Sequence, residues 1–164
     1  NLSATYRNFG IGALLQGASR FSLNISGAAR TMFSNFSVPM DYHYALRWQP
    51  DPENPAVNIN PNAEFPAATL SPGPNNNRNS DFYRRNVTYL RLKNINIFYN
   101  LPTNILAPIG LNSAQVYLAG FNVFTLSSLD IFKNSFDPEE AGTGNPSRNM
   151  PVTRNYTAGI RVSF

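Results

Sequence analysis

The final stretch of the chain constrains its fold more than any other: Tyr156, Ala158, Ile160, Val162 and Phe164 alternate with Thr157, Gly159, Arg161 and Ser163. Successive side chains on a strand point to opposite faces, so one face here is apolar throughout and the other is small or polar. An edge strand presents unpaired N–H and C=O groups that invite pairing with another chain, and closing a sheet into a barrel removes that edge. In a transmembrane barrel the outward band meets lipid and the inward face meets water, which suits this alternation. The last strand of a soluble β-sandwich alternates in the same way, so the pattern by itself leaves both architectures open.

Composition favours the barrel. Charged residues make up 13% of the chain, against roughly 25% in ordinary soluble domains. Asn, Ser and Pro supply the polarity instead, as long loops outside a barrel would require. The net charge of +4 comes from scattered Arg and Lys rather than from a basic stripe, which argues against a nucleic-acid partner. The chain has no cysteine, excluding a disulfide framework and thiolate metal sites. No apolar run approaches the ~20 residues of a membrane-spanning helix, and a barrel needs none.

Alternation predicts strands near 1–6, 9–21, 82–101, 114–126 and 154–164, with the first two joined as a hairpin. Gly10 and Gly12 interrupt the second strand, and crowding between strands is the expected reason. Between them lie long loops at 22–80 and 127–152, where no period holds. The first carries Pro50, Pro52, Pro55, Pro61, Pro66, Pro72 and Pro74 and the run Asn75, Asn76, Asn77. Connections well beyond ~12–15 residues are uncommon in compact domains, whereas outer-membrane barrels have long extracellular loops and short periplasmic turns. In the third strand Leu90 and Leu92 share one face and Ile95, Ile97 and Tyr99 the other. A β-bulge around Lys93 and Asn94, or a strand whose upper part packs against loops, is expected. Tyr117, Phe121 and Phe124, with Phe98, Tyr99, Tyr156 and Phe164, are candidates for an interfacial girdle. About five strands cannot close a barrel, which takes about eight. The chain is therefore read as an all-β C-terminal arc of a longer polypeptide, which its start at Asn1 on a strand-like pattern also suggests.

Chemistry is sparse. The sole histidine, His43, lies between tyrosines in a Pro-rich loop, with no GxSxG, HExxH or phosphate-binding glycine loop. Asp137, Glu139 and Glu140 lack the spacing of a calcium loop, and Pro138 reads as a turn residue. Asp41, Asp51, Glu53 and Glu64 would serve as a glycosidase pair only if two of them met in space. Neither an enzyme nor a cofactor is expected.

Several segments together resemble the C-terminal end of a SusC/RagA-type TonB-dependent outer-membrane transporter. They are FGIGALLQGA at 9–18, RWQPDPENP at 47–55, NVTYLRLKNINIFYNLP at 86–102, VYLAGFNVFTLS at 116–127, DPE at 137–139 and YTAGIRVSF at 156–164. The resemblance implies a 22-stranded barrel in the Gram-negative outer membrane, closed by an N-terminal plug, driven by the TonB complex and capped by a SusD-like lipoprotein. It implies import of oligosaccharides or peptides, with this chain supplying only the last strands and the plug lying elsewhere. On this reading Tyr42, Tyr44 and Trp48 are candidate contacts to the lid or the substrate, since aromatic planes stack on sugars and anchor interfaces. The alternative for these three is a cluster that pins the loop to itself. Tyr156, Ile160, Val162 and Phe164 resemble the signal read by the barrel-insertion machinery, and they also face lipid. A passive porin and a soluble all-β carbohydrate-binding module are the competing functions.

Overall fold

The computed structural model describes residues 1–34, 37–71, 73–139 and 152–164. Five strands, β1 (Leu2–Tyr6), β2 (Phe9–Asn24), β3 (Arg84–Asn100), β4 (Ser113–Ser127) and β5 (Asn155–Ser163), form one sheet in chain order. The pairings β1–β2, β3–β4 and β4–β5 are antiparallel. Two short α-helices, α1 (Asp41–Leu46) and α2 (Thr103–Leu106), and three single-turn 3-10 helices complete the regular structure among the described residues. None of the helices among the described residues is long and apolar enough to cross a membrane. The chain divides into two compact units, one of residues 1–19, 89–127 and 152–164, the other of residues 20–88 and 128–151.

The first unit is wall. Tyr6 pairs with Phe9 across a two-residue turn in which Arg7 takes the left-handed conformation at φ 50°. Tight hairpin turns need a positive φ to follow strand twist, and Arg7 supplies it without the usual glycine. Farther along, Ile97 lies opposite Leu118 and Leu118 opposite Ala158, while Val116 lies between Tyr99 and Ile160. These pairs join the apolar positions of β3, β4 and β5 into one face, exposed along its length: Leu118 is 56% and Ile160 70% accessible. The opposite face carries a polar row, in which Arg161 Nη1 donates to Gln115 Oε1 at 3.0 Å and Gln115 Nε2 donates to Asn100 Oδ1 at 2.8 Å.

On that second face Phe98 pairs with Tyr117 and Tyr117 with Gly159. A Cβ on Gly159 would fall 2.6 Å from the Tyr117 ring, and one on Gly10 would fall 2.1 Å from Phe98. Both rings therefore lie down over glycine backbone, which is the crowding expected at Gly10. Gly12 is different, because a Cβ there would meet nothing within 4 Å.

The register does slip beside Lys93, but the extra residue belongs to β4. Leu92 pairs with Phe124 and Asn94 with Phe121, so Lys93 faces two residues, Asn122 and Val123. Asn122 absorbs the bulge at φ 51°, a conformation Asn tolerates better than most side chains. Because β3 itself keeps its alternation, its apolar residues truly change faces between Leu92 and Ile95.

The second unit gives the long loops a core of their own. Leu23, Ile25, Val87, Leu129 and Phe132 are buried there with Phe65 and Tyr83. Uncharged polar side chains replace ladders in holding the backbone. Asn58 Oδ1 accepts from the N–H groups of Gln49 and Asn60, and Asn60 Nδ2 donates to the carbonyls of Ala45 and Arg47. These segments lack a period without lacking structure. Glu140 and the last part of the 127–152 loop, together with Pro72, lie outside the described residues.

Candidate functional site

Helix α1 decides the fate of the loop aromatics. Its first turn aims Tyr42 and His43 inward and Tyr44 outward. Tyr42 is buried, donates its hydroxyl to the Ala29 carbonyl at 2.6 Å, and packs against His43, Phe65 and Phe132 with centroid separations of 4.5, 5.4 and 4.9 Å. Burial raises the pKa of this phenol above its ordinary value, and Tyr83 adds to the effect. Tyr42 thus takes the loop-pinning role, with no ring face left for a partner.

Tyr44 and Trp48 are the two candidates that reach the surface. Tyr44 is 72% exposed and carries the Arg47 guanidinium over its ring at 4.3 Å. Arg47 also donates from Nη1 to the Tyr44 carbonyl, so the stack is fixed from both ends. Trp48 is exposed, and its backbone N–H donates to the Phe65 carbonyl at 2.7 Å. The result is a cation-backed aromatic plane with an indole four residues on, both held to a rigid core. Such a surface can stack and hydrogen-bond.

Three of the remaining polar candidates are committed to local structure. His43 is fully buried; its Nδ1 accepts from the Met40 N–H at 3.1 Å. Desolvation pushes the imidazole down to about 4, against weak opposition from the backbone of Ala29 and Arg30. Asp137 accepts from the Glu139 N–H at 2.9 Å, and Asp51 from the Glu53 N–H at 2.8 Å, both as turn-closing bonds. No group of acidic, histidine or cysteine side chains able to hold a metal occurs among the described residues.

Tyr156, Ile160 and Val162 lie on one side of β5 and Phe164 follows its end, with Tyr156 68% and Phe164 86% exposed. Sequence reasoning placed the bulge at Lys93 and Asn94 of β3, whereas its extra residue lies in β4. The available signal was Asn122 inside the otherwise apolar run from Val116 to Phe124.

No protein-family model matches the sequence. Two proteins of Formosa agariphila are similar to it: TonB-dependent receptor P26, 31% identical over 145 residues, and TonB-dependent receptor P3, 28% identical over 88 residues. The alignments cover 82% and 47% of this chain, but only 13% and 8% of those proteins. The fold matches the RagAB peptide importer in its open-open state over 99% of this chain and 16% of that one, with a TM-score of 0.63 and 23% identity. A second structure of the RagAB peptide transporter matches over the same shares with a TM-score of 0.55 and 20% identity.

Proposed function

We infer from the place of this chain in the TonB-dependent receptor family that it forms the C-terminal arc of a SusC/RagA-type importer in the Gram-negative outer membrane. The observation that carries this reading is the exposed apolar face of the sheet, in a fold that follows a peptide importer's chain along 99% of its own length. A wall with that face and two unpaired edges, β1 and β5, needs lipid on one side and further strands at both ends. The rest of the barrel, its plug and its TonB-contacting segment belong to the larger polypeptide. A SusD-like lipoprotein caps the outer side, and the cargo is an oligosaccharide or a peptide.

Within this assembly Tyr44 and Trp48 serve the rim that meets the lid or the cargo. Detergent-solubilised outer membranes are expected to yield this segment within a plug-bearing polypeptide, together with a surface lipoprotein. In that complex Trp48→Ala should leave assembly intact and weaken uptake about thirty-fold, the scale of a contact worth about 2 kcal/mol. Unchanged uptake removes Trp48 from the rim. Recovery of the segment as a soluble, detergent-free monomer defeats the importer reading and favours a soluble binding module.

The same geometry suits Tyr156, Ile160, Val162 and Phe164 to recognition by the insertion machinery, since all four are accessible on or just past the edge strand of the sheet. Deleting Phe164 should lower the amount of heat-modifiable, membrane-inserted barrel severalfold without changing synthesis. Equal insertion would leave these residues with lipid contact alone.

A further inference from the structure

A groove of about 290 Å³ is cut into the apolar face of the wall, lined by Ile95, Ile97, Leu118, Gly120, Tyr156 and Ala158. Its floor is low because two positions are small. Gly120 has to be: a Cβ there would stand 2.8 Å from Val123 Cγ2 and 3.1 Å from Ile95 Cγ2. The β4 bulge is the cause, since it brings Val123 to the side of Gly120. The groove lies at the start of β5, the end that follows the 127–152 loop, and at the middle of β4. In a membrane barrel that end belongs to the outer leaflet.

Alternation places two basic residues next to the groove. By alternation Lys93 stands on the same face as Ile95 and Ile97, one step nearer the loop end, and Arg154 precedes Tyr156 by two residues. Not one Asp or Glu falls within the five strands. An apolar channel ending at two cations, in a wall without carboxylates, is complementary to a lipid with an aliphatic tail and a phosphate head. We propose that this groove is a lipid site: it holds an acyl chain of an anionic outer-leaflet lipid, whose phosphate is met by Lys93 and Arg154. The site rests on the reading of the sheet as a membrane wall.

The test uses the full-length barrel protein, delipidated in detergent and titrated with phosphatidylglycerol or chain-matched phosphatidylethanolamine under native mass spectrometry. The wild-type protein should retain phosphatidylglycerol about thirty-fold more strongly, the product of roughly fivefold for each basic side chain. Lys93→Gln with Arg154→Gln should bring the two lipids close to parity. Ala158→Leu, which fills the groove from an exposed position, should lower retention of both. Equal retention of the two lipids by the wild-type protein, or unaltered retention in Ala158→Leu, overturns the site. Heat-modifiable migration separates the two levels of failure. A folded membrane barrel without the lipid preference overturns only the site, whereas a water-soluble protein overturns the membrane wall and the site with it.

Discussion

Replacing Phe132 by alanine should open the loop unit while the strand registers of the wall stay formed. Phe132 is fully buried, and its ring meets Tyr42 at 4.9 Å, Phe136 at 5.9 Å and Phe65 at 6.2 Å. The Arg85 guanidinium also rests over it at 5.2 Å. Removing a buried phenylalanine typically costs about 3–5 kcal/mol through lost transfer energy and the cavity left behind. Here the cavity would lie at the junction of segments distant in sequence, because Tyr42, Phe65 and Phe136 share no element that could collapse into it. Hydrogen exchange at the buried amides of residues 20–34 and 80–88 should accelerate between about a hundredfold and a few thousandfold, the same energy expressed as an opening equilibrium. Amides of the β4–β5 ladder, such as those near Val116 and Ile160, should keep their protection. Unchanged exchange in the loop unit would mean that its stability comes from the polar turn network rather than from this core. Phe132→Leu, which keeps most of the volume, should show a much smaller effect.

How far such features could be read from sequence depends on whether they are local. Ile160 and Val162 reveal their face because period-two alternation needs no knowledge of the partner strand. The change of face between Leu92 and Ile95 was legible for the same reason. Alternation cannot say which strand of a pair carries an inserted residue, so the bulge at Asn122 required the register itself. The loop core was hidden more deeply. Ile25 lies just past the end of β2, Phe65 in an isolated bridge to Arg47 and Phe132 in a single 3-10 turn, and their burial follows from contacts between remote segments. The surface aromatics show the limit most plainly. Tyr42 and Tyr44 are two residues apart in a six-residue helix, where a rotation of about 200° sends one inward and the other out. Composition could nominate both for a binding role. Only the helical phase, fixed by the Tyr42 bond to Ala29, separates them.

Acid should weaken the loop unit through His43. In the folded chain desolvation lowers this imidazole from 6.5 to about 4, and Nδ1 is occupied by the Met40 N–H, which requires the unprotonated nitrogen. A base whose folded pKa lies below its unfolded value binds fewer protons in the native state. Its stabilising contribution is therefore complete above about pH 6.5, falls as pH drops through the interval down to about 4, and is gone below it. At about 1.4 kcal/mol per pH unit, that interval corresponds to roughly 3 kcal/mol. The side chain is fully buried, so solvent does not screen the effect. Titrating hydrogen-exchange protection of the loop unit from neutral pH to pH 4, corrected for the intrinsic exchange rate, should show the loss. His43→Gln retains an acceptor for the Met40 N–H but cannot take a proton in this range. Its protection should be lower at neutral pH and lack the His43 component of the acid limb, so the two curves converge as pH falls. If wild type and His43→Gln lose protection in parallel between pH 6.5 and 4, the acid response belongs to the carboxylates and His43 is only a packing group. Convergence would identify a single buried imidazole as the acid-sensitive point in the unit that carries Tyr44 and Trp48. The presentation of those two aromatics would then depend on pH.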